Sequence, residues 1–232
     1  MTIEVKDNIL LFYKQLLNDP NHRYRSWEHC YSHFQQHHSS NREEDLDTTT
    51  LHLAFYLASW GMYRGSSQLL QKDYRVHTPI VRELSDSKYI CLWQLNFDSL
   101  NAQGSEVELL FQLVKKLRQI YTEVHVTPTD TLITKVLLGT FCCTPAYDQF
   151  FIDGVKTWRC LQDEREPRFP AKFGRNSYHG LLEFYRQNKK SIQEAQAVIA
   201  QHGIAYPVMK LVDMYFWNLG YQSRKNSRNE VE

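Results

Sequence analysis

Apolar residues recur three and four positions apart along most of this 232-residue chain, a spacing that places them on one face of an α-helix. Val107, Leu110, Val114 and Leu117 form such a face in SEVELLFQLVKKLRQIY. KYICLWQLNF is the best candidate for a strand, but its flanks equally allow a buried loop or a short helix. The spacing therefore predicts an all-α fold of about ten helices.

Capping residues set the predicted helix boundaries in the second half of this pattern. Thr129 is a good N-cap for a helix that runs to about Gly139. Pro145 is expected to open the next helix, because proline suits the first helical position. A long helix is expected earlier in the chain, over residues 48–71.

Composition indicates one compact multi-helix domain of a reduced, cytoplasmic protein. We expect it to cover residues 1–222, with a division into two helical lobes around a cleft left open, and a disordered tail to follow over residues 223–232. The N-terminus has neither a signal peptide nor a membrane span, and the five cysteines form no zinc or iron–sulfur pattern. We therefore expect no metal, no other cofactor and no membrane partner. The formal net charge of +1 means that any nucleic-acid binding needs a local basic patch.

The apolar stretch TDTLITKVLLGTFCCTPAYDQFF keeps Lys135 and Asp148. On one interpretation both are structural: the aspartate interacts with a helix dipole, and the lysine extends its ammonium to water. On the other they form an active site. A carboxylate in apolar surroundings can stabilise the cation that develops when a glycosidic bond breaks, and a lysine can contact phosphate or act as a nucleophile.

Lys135, the apolar helix around it, Pro145 and then Tyr147 and Asp148 resemble the helix-hairpin-helix DNA glycosylase superfamily. In that family a lysine lies in or just after a hairpin of two helices, and an aspartate follows at the start of a later helix. Residues 105–121 and 129–139 would supply the hairpin here, with TEVHVTPTDT in place of the usual glycine-rich turn.

The resemblance implies cleavage of the N-glycosidic bond of a modified or damaged base in double-stranded DNA, without a metal. It implies that Asp148 is catalytic, and it places Lys135 beside it as a second catalytic candidate. Tyr147 is then expected to contact the substrate, and Thr129, at the start of the second hairpin helix, to contact DNA. Bacterial defence against phages with modified DNA is one setting for such an enzyme.

A polar group in LASWGMYRGSSQLLQ is the predicted substrate pocket. Trp60 and Arg64 are four positions apart, so in a continuous helix they share a face on which indole and guanidinium can stack. Ser67 and Gln68 continue this surface. These residues either belong to a tightly packed helix or line a pocket in which an extruded base is stacked and hydrogen-bonded.

Basic and aromatic residues alternate in REPRFPAKFGRNSYHG. Arg168, Lys172 and Arg175 are interleaved with Phe169 and Phe173, a composition that suits contact with a nucleic-acid backbone. The alternative is a solvated loop that its two phenylalanines attach to the core. We predict that the three cations bind DNA.

Lys210 and Asp213 lie three positions apart in the last predicted helix. They are expected to form an ion pair, with Asp213 as a reserve carboxylate if Asp148 proves structural.

Two other functions remain open from the sequence. Arg23 precedes His29 by six positions in RYRSWEH, which is compatible with the arginine–histidine motif of the all-helical HEPN ribonucleases. The chain can also be a helical interaction protein without enzymatic activity.

Overall fold

The structure is a computed structural model and describes residues 4–37, 43–65, 67–161 and 168–229. These residues form ten α-helices and three 3₁₀ helices and contain no β-strand, which confirms the all-α prediction. The α-helices are α1 (Val5–Asn18), α2 (Arg25–His37), α3 (Glu43–Ser59), α4 (Thr78–Leu84), α5 (Ser105–Glu123), α6 (Asp130–Gly139), α7 (Gln149–Leu161), α8 (Arg175–Gln187), α9 (Lys189–Ala200) and α10 (Val208–Asn229). The 3₁₀ helices are Gln68–Gln71, Tyr74–His77 and Ser87–Gln94.

The predicted start of α6 is confirmed at the level of its hydrogen bonds. The Thr129 hydroxyl oxygen accepts a hydrogen bond from the Leu132 amide at 3.1 Å, as an N-cap residue does. The segment KYICLWQLNF contributes to a 3₁₀ helix rather than a strand. Asp86 caps it by accepting the Lys88 amide at 3.0 Å, and its buried residues Tyr89 and Leu92 are three positions apart, one 3₁₀ turn.

The long helix predicted over residues 48–71 is wrong at both ends, because α3 begins at Glu43 and ends at Ser59. Gly61 adopts a left-handed conformation with φ of +79°. The Met62 amide then donates to the Leu57 carbonyl at 2.9 Å and the Gly61 amide to the Ala58 carbonyl at 2.9 Å, which closes the helix in a Schellman motif. Trp60 and Arg64 therefore do not share a helix face.

Pro145 does not open α7, which begins at Gln149. The Asp148 carbonyl accepts the first helical bond, from the Ile152 amide at 2.9 Å, so Asp148 is the cap rather than a residue of the first turn.

Contacts between residues divide the chain into two compact units. Unit 1 consists of Met1–Pro20, Phe97–Ala102 and Thr144–Glu232, and it contains α1 and α7–α10. Unit 2 consists of Asn21–Asn96 and Gln103–Cys143, and it contains α2–α6 and the three 3₁₀ helices.

Unit 1 is organised by two glycines that let α7 and α10 approach closely. A Cβ atom added to Gly154 would lie 1.8 Å from the Phe216 carbonyl oxygen, and one added to Gly220 would lie 2.0 Å from the Phe150 carbonyl oxygen. Beside this contact the Phe216 ring packs against several aromatic rings, those of Phe151, Trp158, Phe169, Phe184 and Tyr215.

Unit 2 encloses its own core, in which the end of α6 is fixed to α2 and α3. The Trp27 indole donates a hydrogen bond to the Leu138 carbonyl at 2.9 Å, although its ring is fully buried. A Cβ atom on Gly139 would lie 2.4 Å from the Tyr56 ring, so only glycine permits this approach. The end of α6 is therefore closely packed.

The C-terminal tail differs from the prediction, because α10 continues through Asn229 and residues 223–229 are therefore helical. Among the described residues, no helix is both long and apolar enough to cross a membrane.

We predict that Gly154→Ala lowers the free energy of unfolding by about 2 kcal/mol, because the added methyl group forces the backbones of α7 and α10 apart. This strain exceeds the roughly 1 kcal/mol by which alanine favours a helix over glycine. The measurement is urea denaturation. The matched control is Ala197→Ser, which also adds one heavy atom but at an exposed position of α9, and it should change stability by less than about 0.5 kcal/mol. Unchanged stability of Gly154→Ala would contradict the close contact.

Candidate functional site

A cavity of about 460 Å³ opens in unit 2, within the range of roughly 300–1,000 Å³ that is typical of small-molecule sites. Four residues predicted to bind substrate or DNA line it together: Arg64, Ser67, Gln68 and Thr129. The remaining lining residues are mainly apolar. They come from the segment that follows α3, from the 3₁₀ helix Gln68–Gln71 and from the region around the start of α6: Gly61, Met62, Leu69, Val126, Thr127 and Leu132. The unit 2 cavity thus has apolar walls and a polar edge.

Gly61 also determines where Arg64 lies. A Cβ atom on Gly61 would be 2.8 Å from the Arg64 Nε atom, so the guanidinium packs directly on the glycine backbone. The left-handed turn that ends α3 therefore both redirects the chain and leaves room for the only charged residue among those described that line the cavity.

The other polar lining residues are held by backbone amides. The Gln68 side-chain oxygen accepts the Thr127 amide at 2.5 Å, which joins two walls of the cavity. The Ser67 hydroxyl oxygen accepts the Leu69 amide at 3.3 Å, and the Thr129 hydroxyl oxygen accepts the Leu132 amide at 3.1 Å. These bonds fix the side chains in place before any ligand enters.

A buried histidine, His77, stabilises the segment that contains Tyr63, between the cavity residues Met62 and Arg64. His77 is fully buried, with Nε2 hydrogen-bonded to the Tyr63 hydroxyl at 2.8 Å and Nδ1 to the Tyr121 hydroxyl at 2.9 Å. Burial lowers the pKa of His77 to about 4 and raises the pKa of Tyr63 to about 12. The neutral imidazole therefore links Tyr63, in the segment after α3, to Tyr121 of α5. No motif in the sequence marked this residue.

Trp60 and Lys135 contact each other in unit 2, but neither belongs to the cavity lining. The Lys135 ammonium is buried and donates to the Trp60 carbonyl at 2.7 Å, 5.7 Å from the centre of the indole ring. The Trp60 ring is stacked on Tyr24, with 4.6 Å between ring centres. Lys135 thus neutralises the carbonyl end of α3 rather than extending to water.

In unit 1, Asp148 has a clear structural role. One carboxylate oxygen accepts the Phe151 amide at 3.1 Å, so the side chain caps α7, and 9% of the residue remains exposed. The interpretation that this aspartate has a structural role at a helix start is confirmed, and its catalytic role stays a prediction.

The predicted ion pair of Lys210 and Asp213 is confirmed, and it is almost completely buried. The Lys210 ammonium donates to Asp213 Oδ2 at 3.1 Å, while Asp213 Oδ1 accepts the Ala146 amide at 3.0 Å. Burial raises the pKa of the Asp213 carboxyl, the Lys210 ammonium opposes that rise, and the nearby Asp148 carboxylate adds to it. The pair attaches the turn of residues 144–148 to α10.

Tyr147 connects that turn to the basic segment, residues 168–175. Its hydroxyl is hydrogen-bonded to the Ser177 hydroxyl, and its ring centre lies 5.0 Å from that of Phe173. Phe169 anchors the other end of the segment against Trp158, with 5.2 Å between ring centres.

The three cations of the basic segment, Arg168, Lys172 and Arg175, are all exposed. The segment is attached to the core by its phenylalanines, as one interpretation of the sequence held, and the DNA-binding role of its cations stays a prediction. The structure thus groups the predicted residues in two sets. Tyr147, Asp148 and the basic segment belong to unit 1, whereas the cavity, Trp60 and Lys135 belong to unit 2.

The two residues of the ribonuclease hypothesis both lie in unit 2. Arg23 precedes α2, donates to the Ser59 carbonyl at 3.3 Å and lies 5.0 Å from the centre of the Tyr24 ring. His29 is exposed on α2. Arg23 is therefore engaged with the end of α3, and this arrangement gives the ribonuclease hypothesis no support.

Within the part of the chain that the structure describes, no group of three or more His, Cys, Asp or Glu side chains has the arrangement of a metal site. Comparison with known proteins found no family model, no curated protein and no solved structure that matches this chain.

We predict that His77 makes stability depend on pH. The pKa of His77 is about 4 in the folded protein and about 6.5 in the unfolded chain, so as pH falls the unfolded chain takes up a proton first. The free energy of unfolding therefore decreases between pH 6.5 and pH 4, by about 3 kcal/mol at most. Urea denaturation at several pH values should show this slope reduced in His77→Gln. The control His179→Gln, at an exposed position of α8, should retain the slope of the parent. Equal slopes in all three proteins would contradict the assignment.

Proposed function

We propose that the chain is a DNA N-glycosylase in which Asp148 acts on a nucleotide that carries a modified or damaged base. The observation that carries the proposal is the position of Tyr147. This neighbour of Asp148 contacts Phe173 and Ser177, which lie on either side of the last cation of the basic segment. The residue predicted to carry the chemistry is therefore adjacent in the chain to a tyrosine that contacts the segment predicted to bind DNA.

The basic segment supplies the local charge that such an enzyme needs. The net charge of the chain is +1, so the protein as a whole attracts DNA only weakly. Arg168, Lys172 and Arg175 are exposed within eight consecutive positions, which suits contact with successive phosphates. Phe169 and Phe173 are tied to the core of unit 1, so the segment is held in place before DNA binds.

Asp148 suits the role of an electrostatic stabiliser. When the N-glycosidic bond breaks, its electron pair leaves with the base and positive charge develops on the sugar carbon, to which water then adds with loss of a proton. A carboxylate held at a helix start lowers the barrier to that charge separation. The bond from the Phe151 amide fixes the orientation of the carboxylate. The proposal gives Lys135 no covalent role, because its ammonium is bound to the Trp60 carbonyl.

Abasic-site labelling tests the activity directly. The purified chain is incubated with phage genomic DNAs that carry different base modifications and with synthetic duplexes that contain damaged bases. At least one substrate should acquire abasic sites, and Asp148→Asn should reduce the rate at least about 100-fold. Since an asparagine oxygen still accepts the Phe151 amide, the variant should stay folded by circular dichroism and keep its affinity for DNA.

The basic segment provides the matched control for this experiment. Removal of its three cations by Arg168→Ala, Lys172→Ala and Arg175→Ala should weaken DNA binding and reduce the slope of log affinity against log salt by about 3. The comparison protein carries Lys14→Ala, Lys115→Ala and Lys190→Ala, which remove the same charge at exposed positions elsewhere. A lack of abasic sites in every DNA, or an Asp148→Asn variant as fast as the parent, would contradict the proposed function.

A further inference from the structure

Side chains that line the unit 2 cavity carry hydrogen-bond donors. The oxygen atoms of Ser67, Gln68 and Thr129 each accept a backbone amide, as described above. Each hydroxyl also has one O–H donor, and the Gln68 amide group has two N–H donors.

Arg64 gives the donor set its charge. Its guanidinium lies on Gly61, and within the described residues no carboxylate or carbonyl accepts a hydrogen bond from it. No acidic side chain is present among the described lining residues. An arginine with its fork of N–H groups available, in a cavity without acids, is suited to two oxygen atoms of one carboxylate or phosphate group.

The rest of the lining requires an organic portion in the ligand. A cavity of about 460 Å³ is much larger than a single oxyanion needs, and Met62, Leu69, Val126 and Leu132 give it apolar walls. Burial of a hydrocarbon portion against these walls would add affinity to the charged contact.

We propose that the unit 2 cavity is a binding site for a small organic anion, whose phosphate or carboxylate group binds Arg64 and the neighbouring donors while its apolar portion packs between Met62 and Val126. This site is independent of the proposed glycosylase activity. It also differs from the base pocket predicted from the sequence, because none of the described lining residues is aromatic.

Calorimetric titration with matched charged and neutral probes tests the site. The charged probes are inorganic phosphate, glucose 6-phosphate, hexanoate and the four deoxynucleoside 5′-monophosphates, and the neutral ones are glucose, hexanol and the four deoxynucleosides. At least one organic anion should bind more tightly than its neutral counterpart and than inorganic phosphate. Comparison of the phosphate-bearing probes with hexanoate identifies whether the site prefers a phosphate or a carboxylate group.

Variants connect any binding to the cavity. Arg64→Ala should weaken the best anion at least about tenfold, since a charge-assisted bond is lost. Gln68→Glu should weaken it similarly by adding negative charge, although its oxygen still accepts the Thr127 amide and the loop stays in place. Arg82→Ala, which removes the same charge at an exposed position outside the cavity, should bind like the parent.

Three results would overturn the inference: no charged probe binds at concentrations up to about 10 mM, neutral deoxynucleosides bind as well as their monophosphates, or Arg64→Ala keeps full affinity. The second of these results would instead favour the base pocket. Abasic-site formation is tested separately, through Asp148.

Discussion

The buried ion pair between Lys210 and Asp213 is the interaction on which the candidate site of unit 1 depends. Two charges removed from water are expensive, and only close pairing together with further hydrogen bonds offsets the cost. Here the aspartate bonds both the lysine and the Ala146 amide. Since α10 supplies both charges, the turn of residues 144–148 is attached through the Ala146 amide to the longest helix of unit 1 at a defined position.

The aromatic residues of unit 1 complete this arrangement. Because Gly154 and Gly220 let α7 and α10 approach closely, the rings beside that contact form one continuous core around Phe216. Tyrosines at its margin find partners for their hydroxyl groups, as Tyr185 does with Asp98 at 2.8 Å. Many aromatic side chains of unit 1 are thus used in packing.

The sequence predicted those parts of the fold that depend on local spacing and capping. The all-α class, α5 and the Thr129 cap all follow from residues close together in the chain. The end of α3 was misplaced, because the Schellman motif at Gly61 competes with an apolar spacing that continues beyond it. Arg64, Ser67 and Gln68 line the cavity, whereas Trp60, which was predicted with them, does not. The Gln68–Thr127 hydrogen bond that joins two walls of the cavity spans 59 positions, a contact that no local pattern encodes. His77 and the burial of Asp213 likewise arise from tertiary packing alone.

Hydrogen exchange at the Ala146 amide tests the central claim most directly. In the native protein this amide should exchange as slowly as the core amides of α10, since its proton is bound to Asp213. In the double variant Lys210→Met and Asp213→Leu, which leaves no unpaired charge, protection at Ala146 should fall at least about tenfold while α10 stays protected. An amide that exchanges rapidly in the native protein, or one whose protection is unchanged in the double variant, would contradict the account.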